Sequence, residues 1–220
     1  MGSRAVTDPY ARKRQRLVGK VQAQGIRDPR VLAAVSRVPR HRFVPAAVVQ
    51  RAYEDNALPI GYGQTISQPS LQALYLETLE IEPEDRVLEV GAGSGYQTAL
   101  LAELSSNVYA VERITELTQR AREVLDELGY TNVALVTKDG TTGWAKYAPY
   151  DSILVGAAAP RVPDALVEQL KVGGRLLIPI GDRHHQQLTL VRKVTDEGTD
   201  EQVITGCVFV PLIGRFGWPG

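Results

Sequence analysis

The chain has 220 residues, 25 basic and 25 acidic, with 44% hydrophobic and 23% charged; that suits one substantial α/β unit with an appendage and excludes a disordered chain. A net charge of zero argues against a general nucleic-acid binder or a membrane-surface protein. The single cysteine, Cys207, excludes an internal disulfide and a thiolate metal cluster, and its apolar run Cys207-Val208-Phe209-Val210 predicts core packing.

In chain order, Arg4, Arg12, Lys13, Arg14 and Arg16 stand where a secretory leader would need an apolar core. No apolar run approaches the roughly 18–20 residues of a membrane span, so a cytoplasmic protein with no membrane partner is expected. From Pro9 to about Val49 the pattern is helical, with Leu17, Val18 and Val21, then Val31, Leu32 and Val35, at apolar positions. Asp28-Pro29 reads as the start of the second helix. The basic run 12–16 has no interleaved aromatics and reads as a solvated helix face.

Residues 53–70 contain Pro59, Gly61, Gly63 and Pro69 and read as an irregular segment of a length that is often functional. A helix follows over about 71–79. Thereafter strands are expected at 86–90, 107–111, 133–137, 151–155 and 174–180, separated by helices over 95–104, 114–128 and 163–170. Segments 187–194 and 203–212, joined by Asp196-Glu197-Gly198, read as an antiparallel edge hairpin. The fold class is therefore α/β, a doubly wound Rossmann-like sheet, mostly parallel, with an N-terminal helical segment. The organisation expected is a helical segment and loop over 1–80 packed on a main domain over 81–220, as one structural unit.

In such a sheet the ligand lies at the carboxyl ends of the strands. There the sequence places Gly91-Ala92-Gly93-Ser94-Gly95, a turn in which backbone must bend tightly and let a ligand approach. A dinucleotide site wants its third glycine at 96, where the chain has Tyr96. S-adenosylmethionine has no phosphate to bind and tolerates the departure. Glu112, about 20 residues after the turn, is placed for the ribose hydroxyls. Asp139, ending the third strand, is placed for the adenine amino group, and Glu89 for the methionyl ammonium. Three acids at successive strand ends, each suited to one part of one ligand, favour that donor over nicotinamide cofactors.

The stretch Tyr53 to Pro69, with its core Gln64-Thr65-Ile66-Ser67-Gln68-Pro69, resembles the signature of the protein-L-isoaspartate O-methyltransferases. The resemblance continues through 38–45, the glycine turn, Asp139-Gly140-Thr141-Thr142-Gly143-Trp144, 148–151, 173–176, 179–181 and 209–212. It implies a class I methyltransferase fold, S-adenosyl-L-methionine as donor and S-adenosyl-L-homocysteine as product. The substrate it implies is the α-carboxylate of L-isoaspartyl residues in damaged proteins. By the same resemblance Ser67 takes the catalytic position. Gln68, Pro69, Gln72, Glu89, Gly91, Gly93, Glu112, Arg113, Asp139 and Gly140 hold the donor, and Thr65, Ile66 and Val210 face the substrate. No metal is implied, and a monomer without nucleic-acid partners is expected.

The chemistry agrees. A carboxylate, with a pKa of about 3.5–4, is already a nucleophile at neutral pH and needs no general base. Ser67 could instead cap the helix beginning near Pro69. Lys138 departs from the glycine frequent in the family before Asp139-Gly140. The tail 213–220 is a region where the family varies, so no contacts are assigned to it. His184-His185 lacks accompanying ligands and reads as a solvated turn, and Trp144 reads as packing. After the fourth strand, Gly156-Ala157-Ala158-Ala159-Pro160 replaces the Asn/Asp-Pro-Pro-Tyr run of amino-methylating enzymes. A methyltransferase with another acceptor and a non-catalytic adaptor of the same fold remain the alternatives.

Overall fold

The computed structural model describes residues 8–220, so Arg4 lies outside the described residues. The N-terminal segment forms α1 (Ala11–Ala23) and α2 (Pro29–Arg37), then 3-10 turns at Arg40–Phe43 and Ala46–Arg51. The continuous helical pattern to Val49 breaks where Val38 and Val44, each preceding a proline, adopt extended backbone. α2 starts as its residues dictate. Asp28 Oδ1 accepts from Arg30 N at 2.7 Å, and Pro29 occupies the first helical position.

Within 53–70 the structure corrects the irregular reading, because β1 (Leu58–Gly61) and β2 (Gln64–Ile66) pair as a short antiparallel hairpin. Tyr62 and Gly63 both have positive φ, 54° and 69°, as a two-residue turn of the primed kind requires. α3 (Pro69–Leu79) follows.

The main sheet is built from β3 (Arg86–Val90), β4 (Asn107–Glu112), β5 (Val133–Thr137), β6 (Tyr150–Val155), β7 (Leu170–Gly181), β8 (Gln186–Lys193) and β9 (Thr199–Cys207). Its order is β5-β4-β3-β6-β7-β8-β9, parallel through β7 and antiparallel beyond it. The connecting helices are α4 (Tyr96–Ala102), α5 (Thr115–Glu127) and α6 (Asp164–Glu168).

β3 shows why both faces are covered. Val87 joins one apolar cluster with Leu17, Val35, Leu76 and Leu100, while Leu88 and Val90 join another with Ile153, Leu166 and Ile178. The period of two puts Glu89 on the Val87 face, toward α4. The N-terminal helices thus share a core with the sheet.

The final strand ends at Cys207 and does not reach residue 212, a second correction. Residues 208–212 leave β8 and cross back, where Ala158 N donates to Val210 O and Leu212 N to Ala158 O, both at 2.8 Å. Pro211 has no N–H for a ladder, and the change of partner carries 210–212 over the carboxyl ends of the parallel strands. Cys207 is half-buried, and burial pushes its thiol up to about 11, so it is poorly nucleophilic.

Candidate active site

Strand register aligns the chemistry. Val90 pairs with Val111 and Val155, and Glu112 with Thr137, so Gly91, Glu112, Lys138 and Gly156 emerge along one edge. Gly91 N and Ala92 N donate to Val111 O at 2.8 and 3.2 Å, and Gly156 N donates to Val90 O at 2.8 Å. The sheet bonding therefore runs two residues past β3 and one past β6 before the chain swings away. Gly95 starts α4 at φ 85°, where a Cβ would lie 3.0 Å from Ala121 Cβ, so this glycine serves helix packing. Gly140 is held by a closer contact: a Cβ there would meet Val90 Cγ1 at 2.5 Å.

Each of the three acids has a distinct environment. Glu112 Oε2 accepts from Gly93 N and its Oε1 from Ile114 N, both at 2.9 Å, which ties the glycine turn to the end of β4. Glu89 is buried, and its Oε2 accepts from Thr98 Oγ1 at 2.5 Å. Burial pushes the Glu89 carboxyl up to about 7; the charge of Glu112 adds to this and the Thr98 hydroxyl opposes it. A cation arriving beside Glu89 would remove most of that penalty.

Asp139 meets the C-terminal tail. Its Oδ1 accepts from Thr141 N and Thr141 Oγ1 at 2.9 and 2.7 Å, and its Oδ2 from Arg215 N at 2.8 Å. Burial acts to raise this carboxyl, but these donors prevail and hold it below its ordinary value. Oδ2 keeps a lone pair for one further donor. Trp218 Nε1 donates to Ala158 O at 3.1 Å, anchoring the tail across the edge.

The segment from β2 into Ser67 bridges three spaces. An outer cleft of about 520 Å³ is bordered by Ser67, Gln68, Leu71 and Phe209. An inner cavity is bordered by Ser67, Gln72, Glu89, Gly91 and Gln97. A third space runs along Glu112, Arg113, Gly140, Ala157 and Leu212. Thr65 and Gly156 border all three, and Ser67 stands between the cleft and the inner cavity. The capping alternative for Ser67 is not the one adopted. Gln68 is the residue preceding α3, and Asp55 Oδ1 serves the helix end by accepting from Ser70 N at 2.8 Å. The Ser67 hydroxyl has no hydrogen-bond partner among the described residues.

The other expected residues divide among these spaces. Gly91, Gly93, Glu112, Arg113, Gly140 and Val210 border the third space, and Gln72, Glu89 and Ile66 the inner one. Gln68 lies on the cleft side, where its Nε2 donates to Ser70 Oγ at 2.7 Å. Pro69, the first residue of α3, is buried and borders none of the three, and Asp139 faces the tail. Sequence reasoning missed Gly156, Tyr75 and Gln97. Gly156 follows its strand as Gly91 follows β3, a signal the sequence did carry. Tyr75 and Gln97 look like ordinary helix-packing positions, yet the Tyr75 hydroxyl and both polar atoms of Gln97 are buried beside the inner cavity without partners. Such orphaned groups, with a buried carboxylate and a glycine cradle, fit a ligand carrying both cationic and acceptor atoms.

Trp144 packs edge-on against Tyr109 and Tyr147, as a structural residue would. His184 and His185 occupy an exposed turn in which both backbone N–H groups donate to Asp182 Oδ1.

Comparison with known proteins places this geometry. Residues 12–217 match the family model described as protein-L-isoaspartate(D-aspartate) O-methyltransferase. A protein-L-isoaspartate O-methyltransferase of Syntrophus aciditrophicus is 49% identical over 97% of this chain and 99% of its own. One from Methanoculleus marisnigri is 52% identical over 97% of each. A Plasmodium falciparum protein solved in complex with S-adenosyl-L-homocysteine superimposes with a TM-score of 0.80 at 27% identity, covering 91% of this chain and 98% of the other.

Proposed function

The chain belongs to the protein-L-isoaspartate(D-aspartate) O-methyltransferase family, and we propose that its activity is methyl transfer from S-adenosylmethionine to the α-carboxylate of L-isoaspartyl residues in damaged proteins. The methyl ester then closes to a succinimide as the backbone amide nitrogen displaces methanol, and hydrolysis of the ring returns part of the material to aspartate. The observation that carries the reading is the unpartnered Ser67 hydroxyl between the inner cavity and the outer cleft.

Bound along the inner cavity and the space beside Glu112, S-adenosylmethionine supplies an electrophilic methyl group on a sulfonium and leaves as S-adenosylhomocysteine. Glu89 faces the ammonium of the donor, and Glu112 offers its free lone pairs to the ribose hydroxyls. Asp139 Oδ2 accepts from the adenine amino group beside the tail. Ser67 donates a hydrogen bond to one carboxylate oxygen of the acceptor and leaves the other free to attack. Thr65, Ile66 and Val210 line the approach.

A carboxylate with a pKa of about 3.5–4 attacks without a base, which agrees with a reading that assigns each of the three acids to the donor and none to proton transfer. Opposite charges combine into two neutral products, so excluding water favours the transition state. The crossing segment 208–212 and the tail do that work, and positioning supplies the rest.

We read the protein as a cytoplasmic monomer, with 1–80 packed on 81–220, that acts on proteins and peptides and not on nucleic acid or membranes. No described helix is long and apolar enough to cross a membrane. The experiment that tests the function is methyl transfer to an isoaspartyl peptide against its aspartyl twin. Activity on the first alone is expected, and equal activity on both, or none on either, would overturn it.

A further inference from the structure

Arg40 lies in the first 3-10 turn, outside both the sheet and the signature segment, and its side chain is completely buried. Its Nη2 donates to Ser67 O at 2.8 Å and its Nη1 to Gln72 Oε1 at 2.7 Å. The guanidinium lies 4.8 Å from the centre of the Tyr96 ring, a cation–π contact with the residue that replaces a dinucleotide-type glycine. Its Nε has no partner among the described residues. It forms no ion pair among the described residues, and Asp55, the acid whose charge reaches it, accepts at Oδ1 from Ser70 N. Burial pulls the guanidinium down to about 10, against the opposing influence of Tyr96 and Asp55, so it stays cationic at neutral pH.

Burying a cation that has no ion-pair partner among the described residues is costly, so stability alone does not account for the charge. The contacts show what the charge does instead. A guanidinium has only donors, so the Gln72 atom facing it must be the carbonyl oxygen. The amide nitrogen is thereby turned away from Arg40. Gln72 borders the inner cavity together with Ser67 and Glu89, so turning its carbonyl to Arg40 leaves its N–H groups free for a ligand there.

We propose that Arg40 is a positioning residue for methyl transfer, fixing the Ser67 backbone and orienting the Gln72 amide so that its N–H groups face a carboxylate in the inner cavity. The inference rests on the methyl-transfer reading above. That carboxylate belongs either to the methionyl end of the donor or to the isoaspartyl acceptor, and the chemistry recognised is the same.

The test compares wild type, Arg40→Met, Arg40→Lys, Gln72→Ala and the Arg40→Met/Gln72→Ala double variant. Readouts are melting temperature, calorimetric affinity for S-adenosylhomocysteine, and kcat and KM on an isoaspartyl peptide. Arg40→Met leaves Ser67 O and Gln72 Oε1 without their donor, and is expected to fold with a melting temperature a few degrees lower while losing about 30-fold in product affinity or in kcat/KM. Arg40→Lys should recover little of this, because one ammonium cannot hold both acceptors in the fork geometry. Gln72→Ala should cost less in the Arg40→Met background than in wild type.

A loss of product affinity assigns the carboxylate to the donor; a loss in kcat/KM with affinity kept assigns it to the acceptor. A folded Arg40→Met with wild-type affinity and turnover, or purely additive effects with Gln72→Ala, would overturn the proposal. If Arg40→Met does not fold, the same cycle with Arg40→Lys decides it. A wild type that binds product but methylates neither peptide counts against the assigned activity, and the binding measurements still decide the role of Arg40.

Discussion

Ser67 and Glu89 carry the sharpest expectations at the scale of single residues. The Ser67 hydroxyl is free of partners among the described residues, so Ser67→Ala removes nothing seen to hold the fold. Turnover on an isoaspartyl peptide should fall about 10- to 100-fold, the worth of a hydrogen bond to a charged group, with affinity for S-adenosylhomocysteine nearly unchanged. A large loss of product binding would assign Ser67 to the donor instead. Glu89 affects stability with a definite sign. Its folded pKa of about 7 lies above the ordinary 4.5, so the folded state holds the proton more tightly. Stability therefore falls as pH rises from the unfolded value toward 7 and stays lower above it. Glu89→Gln should raise the melting temperature of the ligand-free protein at pH 8 by a few degrees, at about 2–4 °C per kcal/mol for a chain of this size, change little at pH 4, and weaken product binding. An unaltered pH slope by scanning calorimetry would show that Glu89 is not the titrating group.

Among the elements, the C-terminal tail and the β1–β2 hairpin show what was and was not legible. The parallel strands and their helices were readable because apolar runs such as Ile153-Leu154-Val155 are buried on both faces, and the acids at strand ends followed from the same periodicity. The hairpin was not, since Pro59 and Gly61 obscure a two-residue turn that depends on Tyr62 accepting positive φ. The turn of the chain after Cys207 was hidden too, because Val208-Phe209-Val210 reads as strand until Pro211 and Ala158 are seen to pair across the edge. Arg40 gave no signal, for one arginine in a basic N-terminal segment looks solvated. The tail was unassigned, yet Arg215 N and Trp218 Nε1 bond to Asp139 and Ala158. Truncation after Leu212 should leave the sheet folded by circular dichroism and weaken S-adenosylhomocysteine about 10-fold, on the scale of one or two lost hydrogen bonds around a charged group. Unchanged affinity would reduce the tail to a surface feature.

For the molecule as a whole, α1 and α2 share an apolar cluster with α3, α4 and β3. Unfolding should therefore be a single cooperative transition, seen alike by near-ultraviolet and far-ultraviolet circular dichroism. S-adenosylhomocysteine at about 100 times its Kd should add about 2.7 kcal/mol to the folded state. A first melting step that ignores the product would instead mark 1–80 as a separately folding part. We propose that the sheet edge holds the donor while the Thr65-Ile66-Ser67 segment selects an isoaspartyl carboxylate. Initial rates of methyl transfer from S-adenosylmethionine to two peptides, identical except for an L-isoaspartyl or an L-aspartyl linkage, test it most directly. Saturable methylation of the isoaspartyl peptide and none of its twin is expected; equal rates on both, or none on either while the donor is bound, would overturn that division of labour.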